Sequence, residues 1–192
     1  MSYELLQDPR LYEVLTKIDE ELAAEIQSQG CSKCGGTLHR ANYPRRPRGG
    51  ATDSAAVTER LSFCCERDGC RKRHTPPSVR FFGRRVYLSA VVLLVSAMQS
   101  GVSDAGAHGL RKLLGVGRST LKRWRRWWRC VFVDTQGWIE ARARIVPSVD
   151  TDALPRSLIE RFAGTGRESL ARILRFLSPV TTSFGCRLIQ RS

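Results

Sequence analysis

Acidic residues, histidine and long apolar runs are all scarce in this sequence. Its 192 residues include 18 Asp and Glu, 3 His and 2 Met, against 32 Lys and Arg. The most apolar segment, residues 86–98, is 13 residues long, whereas a helix that spans a bilayer needs roughly 20. The first residues contain neither the basic segment nor the apolar run of a signal peptide. These absences predict a buried helix at 86–98, no membrane association and a cytoplasmic location.

The shortage of acidic residues is uneven along the chain. The formal net charge is +14 and the isoelectric point about 10.3. Residues 69–133 contain fourteen Lys and Arg and one acid, Asp104, whereas residues 1–29 contain seven acids and only Arg10 and Lys17 as bases. A basic excess concentrated in one segment is typical of a nucleic-acid-binding surface. We therefore expect a protein that associates with the nucleoid.

The composition and its changes along the chain predict the fold class. With 42% hydrophobic and 26% charged residues, the chain has the balance of a globular protein of one domain or two small modules. Apolar residues recur at helical intervals over residues 4–28, whereas Cys, Gly, Pro and Arg dominate residues 31–78. We predict a mainly α protein with a small β zinc ribbon. The predicted order is an N-terminal helical segment (1–29), the zinc ribbon (30–78), a helix-turn-helix domain (79–133) and a C-terminal tail with short helices at 155–163 and 168–177 (134–192).

Two groups of cysteines in the second segment predict a metal site. Cys31 and Cys34 form a Cys-x-x-Cys motif, and Cys64, Cys65 and Cys70 follow about thirty residues later. Clustered cysteines in a reducing compartment more often bind metal than form disulfides. Four thiolates complete the tetrahedral coordination of Zn²⁺ and leave no position for an activated water, so the expected metal is one structural Zn²⁺ per chain.

The alternation of "RLSFCC" indicates which cysteine of the second group binds the metal. In a strand, Leu61, Phe63 and Cys65 lie on one face and Cys64 on the other. Because the apolar face turns inward, we prefer Cys65 as the third ligand and keep Cys64 as the alternative. The predicted ligands are Cys31, Cys34, Cys65 and Cys70.

The stretch "GVGRSTLKRWRRWWR", residues 115–129, contains six basic residues, three tryptophans and no acid. On a helix, Leu121, Trp124 and Trp128 fall in one stripe and most of the cations lie opposite. This pattern predicts a helix that is anchored by aromatic side chains and presents a positive face. The predicted DNA-contacting residues are Arg118, Ser119, Thr120, Lys122, Arg123, Arg125, Arg126 and Arg129.

The residues before this helix complete a helix-turn-helix pattern. In "HGLRKLLGVGRSTLKRW", a helix over 103–114 ends before a glycine-containing turn in which Val116 points inward. In such motifs the N-terminal end of the second helix reaches base edges, whereas later basic residues contact phosphates. Arg118 and Ser119 occupy that N-terminal end.

The order of these motifs resembles the front end of certain bacterial insertion-sequence transposases. The resemblance is carried by "CSKCGG", by "RLSFCC" with "GCRKRHTPPSVRFFGRRVYLSAVVLL", and by "LLGVGRSTLKRW", and it covers residues 31–130. It implies recognition of double-stranded DNA in a mobile element, with a separate transposase or a second copy of the chain as possible partner. Those transposases continue into a ribonuclease-H-like domain of well over about 100 residues. Only 62 residues follow Cys130, so the resemblance implies DNA recognition without cleavage.

The expected function is therefore that of a non-enzymatic, sequence-specific double-stranded DNA-binding protein, an accessory or regulatory factor related to transposons. One alternative is a truncated transposase or nuclease that uses Asp134, in "VFVDT", with Mg²⁺. Another is an RNA-binding zinc-ribbon protein. The helix-turn-helix favours duplex DNA, because side chains cannot read the deep, narrow major groove of RNA.

Overall fold

A single long helix near the N-terminus contributes to both hydrophobic clusters of the protein.

The structure is a computed structural model. It describes residues 3–45, 47–48, 58–82, 87–97, 108, 111–112, 114–162, 164, 166–182 and 188.

Most of the regular structure is helical, as the composition and periodicity predict. The α-helices are α1 (Pro9–Gln29), α2 (Ser89–Ser96), α3 (Arg118–Cys130), α4 (Gln136–Arg142), α5 (Arg156–Arg161) and α6 (Arg167–Leu177). Short 3-10 helices occupy Tyr3–Gln7, Phe132–Asp134 and Ser178–Thr181.

The strands are short and antiparallel. They are β1 (Leu38–Arg40), β2 (Tyr43–Pro44), β3 (Glu59–Arg60), β4 (Phe63–Cys65) and β5 (Arg73–His74). One sheet has the order β1-β4-β5 and the other pairs β2 with β3. Leu38 is opposite Cys65, and Phe63 is opposite His74. The predicted small antiparallel sheet is thus present in the segment that contains the clustered cysteines.

Helix α1 begins and ends at residues suited to those positions. The side chain of Asp8 accepts a hydrogen bond from the backbone N–H of Arg10, and Pro9 is the first helical residue, where its missing N–H costs nothing. The helix ends at Gly30, whose φ of 72° lies in the left-handed region that favours glycine. The helix predicted over 4–28 is therefore confirmed from Pro9 onward, and a 3-10 helix precedes it.

The larger hydrophobic cluster contains buried residues from the N-terminal, central and C-terminal parts of the chain. Leu11 and Leu15 of α1 belong to it, as do Trp128 of α3 and Leu170 and Leu174 of α6. Helix α6 packs against both α1 and α2. The residues predicted as a C-terminal tail therefore form part of this core.

The smaller cluster surrounds the cysteines. Ala23 of α1 packs there with Leu38, Phe63 and the two buried cysteines, Cys31 and Cys65. Because α1 also supplies Leu11 and Leu15 to the larger cluster, this one helix holds the two clusters in a defined arrangement.

A buried ion pair joins α1 to the segment before α2. The Nε atom of Arg80 is 2.8 Å from Oδ2 of Asp19, and the two side chains are 2% and 0% exposed. Asp19 also accepts hydrogen bonds from the hydroxyl of Ser78 and the backbone N–H of Val79, each at 2.7 Å. A buried charge pair is stable only when its remaining hydrogen-bonding atoms are satisfied, and these contacts tie the segment before α2 to α1.

Only part of the predicted first helix of the helix-turn-helix can be compared with the structure. The structure describes four residues of the 103–114 prediction, and all four are helical, namely His108, Arg111, Lys112 and Leu114. The other residues of that prediction lie outside the described residues. Within the described part of the chain, every helix is too short or too polar to cross a membrane.

Candidate metal centre and basic helix

The first pair of clustered cysteines lies in a tight turn directly after α1. The backbone N–H groups of Cys34 and Gly35 both donate to the carbonyl oxygen of Cys31, at 3.2 and 2.8 Å. Gly35 has a φ of 71°, a conformation that most side chains disfavour. The turn places the Cys31 and Cys34 side chains on the same side of the backbone, as a Cys-x-x-Cys metal-binding turn requires.

The second pair has a similar turn. Cys65 is the last residue of β4, and the N–H groups of Cys70 and Arg71 both donate to the carbonyl oxygen of Arg67, at 3.0 and 3.3 Å. Arg71 has a φ of 43° and so occupies, at some cost, the left-handed conformation that Gly35 has in the first turn. The two pairs thus approach the same point from two similar turns.

The four sulfur atoms lie close together. The Sγ atoms of Cys31 and Cys70 are 3.7 Å apart, those of Cys34 and Cys65 are 3.5 Å apart, and all four lie within 4.8 Å of one another. Sulfurs bonded tetrahedrally to Zn²⁺ at about 2.3 Å are about 3.8 Å apart, whereas disulfide sulfurs are about 2.05 Å apart. The spacing fits a tetrahedral metal site and excludes disulfides among the four.

The surroundings shift the pKa values of two of the thiols in opposite directions. Burial would raise the pKa of Cys31, but hydrogen bonds from the Lys33 backbone, from His74 and from Cys34 lower it to about 5. Burial raises the pKa of Cys65 to about 12. A bound divalent cation would need all four as thiolates, and of the two thiols with shifted pKa values Cys31 is the closer to that state.

Two residues outside the predicted ligand set, His74 and Gly36, lie directly against sulfur atoms of the cluster. Nε2 of His74 is 3.4 Å from Sγ of Cys31. A β-carbon added at Gly36 would lie 3.2 Å from Sγ of Cys65, so a side chain at this position would crowd that sulfur. The sequence signal for His74, a histidine four residues after Cys70, is too common to predict its contact with Cys31.

Cys64 lies apart from the four clustered cysteines. It is opposite His39 and Arg73 in the neighbouring strands, and its thiol lies 3.5 Å from the carbonyl oxygen of Arg71. Strand alternation predicts this placement, since Cys65 faces the smaller cluster. The His39 ring points elsewhere, to Glu66, with an Nε2–Oε2 distance of 2.9 Å.

Helix α3 separates its apolar and basic side chains as the periodicity predicts. Leu121, Trp124 and Trp128 are 5%, 2% and 0% exposed. The Trp124 ring contacts Tyr87 edge to face, with centroids 4.9 Å apart, and the Trp128 ring contacts Phe132 at 4.6 Å. The predicted aromatic anchor is confirmed.

The predicted DNA-contacting residues lie largely on the opposite side of α3. Thr120 and Arg125 are partly buried, and the others are exposed, namely Arg118, Ser119, Lys122, Arg123, Arg126 and Arg129. Trp127 lies at the edge of the buried stripe, half-buried, with its ring 5.2 Å from Phe82 and 5.4 Å from Phe132. The helix therefore presents a broad cationic surface with one aromatic edge.

The turn before α3 is fixed by a buried side chain and by a hydrogen bond from Tyr87. Val116 is 1% exposed, and Gly115 has a φ of 65°. The Tyr87 hydroxyl donates to the carbonyl oxygen of Gly115 at 2.8 Å. Because Tyr87 also packs against Trp124, one side chain positions both the turn and the first half of α3.

The segment that contains Asp134 is helical rather than extended. Phe132–Asp134 form a 3-10 helix, and Thr135 then caps α4 by accepting a hydrogen bond from the Trp138 backbone N–H. Burial of Phe132 and Trp138 against each other, with centroids 4.8 Å apart, requires this tight turn. Asp134 therefore does not occupy the strand position of a first catalytic carboxylate.

In comparisons with protein-family models, curated proteins and solved structures, no match to this chain was found.

Proposed function

We propose that this protein binds double-stranded DNA sequence-specifically and without enzymatic activity, through α3, and that its four clustered cysteines hold one structural Zn²⁺. The observation that carries the proposal is the two-sided character of α3. Three large apolar side chains fix one face in the core, and six of the eight predicted contact residues are exposed on the rest of the helix. The resemblance to transposase front ends suggests an accessory or regulatory factor of a mobile element.

The arrangement along α3 supports recognition by its N-terminal end. Arg118 and Ser119 are exposed in the first turn, where side chains of a helix-turn-helix protein reach base edges in the major groove. Arg126 and Arg129 lie two to three turns later, where phosphate contacts are more usual. A rigid helix is needed for this division of roles, and burial of Trp124 and Trp128 supplies that rigidity.

The cysteine cluster supports a structural rather than a catalytic metal. Four thiolates fill the tetrahedron, so a bound Zn²⁺ would offer no open position for water or substrate. The surrounding sheet is small, with strands of two or three residues. Zinc binding contributes on the order of 10 kcal/mol to the folding of such modules, and here it would fix the end of α1 against β1 and β4.

The test of DNA recognition begins with selection of bound duplexes from a random pool. Arg118→Ala should then lose about 1–3 kcal/mol of binding free energy on the selected duplex and little on a scrambled one. Arg126→Ala should weaken binding to both duplexes alike, because a phosphate contact carries no sequence information.

Controls distinguish the other functions. An A-form RNA duplex should compete poorly with the selected DNA, and plasmid DNA should remain uncut in Mg²⁺. If Arg118→Ala and Arg126→Ala give the same loss on both duplexes, the helix attracts polyanions without reading sequence. Absence of any duplex binding at low salt would refute the whole proposal.

A further inference from the structure

A small cleft of about 120 Å³ lies between α2, α3 and the start of α5. Arg125 and Arg129 of α3 and Arg156 of α5 line it, together with Ser96 at the end of α2 and Leu154. Three arginines from two separate elements thus meet around one small space, and none of the described residues that line it is acidic.

The arginines are arranged to receive an anion. Arg125 and Arg129 are four residues apart and therefore lie on adjacent turns of one helix edge. The Nε atom of Arg156 is 2.5 Å from Oε1 of Glu160. Among the described residues, the terminal nitrogens of Arg156 have no hydrogen-bond partner. The described lining of the cleft thus includes three guanidinium groups and no carboxylate.

Ser96 gives a second, independent indication of a ligand. Its side chain is 4% exposed, and within the described part of the chain its Oγ atom is buried with no hydrogen-bond partner. Buried hydroxyl groups are usually paired, because an unpaired one costs about 1–3 kcal/mol. An acceptor oxygen bound in the cleft would satisfy this hydroxyl.

The size and chemistry of the cleft point to one tetrahedral oxyanion. Sites for drug-sized ligands usually enclose about 300–1,000 Å³, so this cleft suits a single group. Guanidinium groups match the oxygens of phosphate in a paired geometry, and a serine hydroxyl adds one donor.

We propose that the cleft binds one backbone phosphate of duplex DNA, held by Arg125, Arg129, Arg156 and Ser96. The inference rests on the proposed function, because α3 must lie against the duplex for a phosphate to reach the cleft. Arg129 is exposed and lines the cleft while belonging to the basic face of α3, so a duplex on that face has a phosphate path to the cleft. The residues before α6 would then take part in DNA binding.

Matched charge changes on α5 test the proposal. Arg156→Gln removes a cleft cation, whereas Arg161→Gln removes an exposed cation from the same helix that does not line the cleft. Loss of one phosphate contact lowers the slope of log affinity against log salt by about 0.9, which is about eightfold in affinity at 0.1 M salt. We expect that loss for Arg156→Gln on selected and scrambled duplexes alike, and a change within about twofold for Arg161→Gln.

Ser96→Ala tests the cleft without changing charge. Removing a buried hydroxyl that lacks a partner should not lower the melting temperature. Loss of its hydrogen bond to a charged phosphate should weaken duplex binding about tenfold. This variant also keeps the test decisive if Arg156→Gln folds poorly.

The outcomes separate the two proposals. If the wild-type protein binds no duplex, the proposed function fails and the cleft assignment fails with it. If it binds duplex, but Arg156→Gln matches Arg161→Gln and Ser96→Ala matches wild type, only the cleft assignment is overturned. The last measurement compares melting temperatures with and without millimolar inorganic phosphate. If phosphate raises the melting temperature of wild type but not of Ser96→Ala, while the variants bind DNA normally, the cleft is a site for free phosphate and the DNA assignment is overturned.

Discussion

Replacing Trp124 with alanine should destabilise the protein strongly, because this side chain anchors the basic helix to the core. Trp124 is 2% exposed, and its ring lies edge to face against Tyr87 with a centroid separation of 4.9 Å. Truncation of a buried tryptophan to alanine typically costs about 3–5 kcal/mol, and the lost aromatic pair accounts for about 0.5–1.5 kcal/mol of that. Domains are stable by only about 5–15 kcal/mol, so the loss is a large fraction of the total.

The expected change in melting temperature follows from chain length. For proteins of 150–250 residues, 1 kcal/mol shifts the melting temperature by about 2–4 °C, so Trp124→Ala should melt roughly 6–20 °C below wild type. Trp124→Phe keeps an aromatic ring beside Tyr87 and should fall between the two. Thermal and urea unfolding followed by circular dichroism would measure both variants.

Arg126→Ala is the matched control on the same helix. Arg126 is exposed, and such a substitution usually changes stability within about 0.5 kcal/mol, or about 2 °C at most here. Its DNA affinity should nevertheless fall about eightfold at 0.1 M salt if it contacts one phosphate. Equal melting temperatures for Trp124→Ala and Arg126→Ala would refute the orientation of α3, and with it the proposed DNA-binding face.

Two further predictions concern the metal centre and the N-terminal helix. Cys65→Ser should lower the zinc content of the purified protein well below one equivalent per chain, whereas Cys64→Ser should retain a full equivalent; the reverse result would exchange their roles. The pKa of Tyr12 is raised to about 12 by burial, and its hydroxyl donates to the carbonyl oxygen of Leu6 at 2.9 Å. Because the phenol ionises more readily in the unfolded chain, its contribution to stability is complete below pH 10 and is lost as the pH rises toward 12. Alkaline unfolding of wild type and Tyr12→Phe would measure this, and identical pH profiles would contradict it.

Local periodicity was sufficient to predict which side of α3 is buried. Leu121, Trp124 and Trp128 are spaced three and four residues apart, and a helix places residues with this spacing on one face whatever they pack against. The two-residue alternation of β4 likewise separates Cys65 from Cys64. Both predictions depend only on backbone geometry within a few residues, and this is why they needed no knowledge of the fold.

The segment around Asp134 does not adopt the structure that its composition alone would favour. "VFVDT" has the β-branched and aromatic residues of a strand, and yet it forms a 3-10 helix followed by α4. Propensity for a strand is expressed only where a neighbouring strand is available to pair with it. The Phe132 ring packs instead against Trp128 and Trp138, with centroid separations of 4.6 and 4.8 Å, and its contact with a residue six positions later requires a turn.

Contacts between distant segments could not be predicted from the pattern of either segment. The apolar face of α6 is visible in the spacing of Leu170, Ile173, Leu174 and Leu177, but periodicity does not say which surface that face covers. In the structure α6 covers α1 and α2. The chain before α6 therefore lies beside α3, and Arg156 meets Arg125 and Arg129 in one cleft. The burial of Asp19 with Arg80, 61 residues apart, depends on long-range packing in the same way. If Arg156 binds DNA, its role is a consequence of how the C-terminal helix packs, and only a structure or a variant such as Arg156→Gln can identify it.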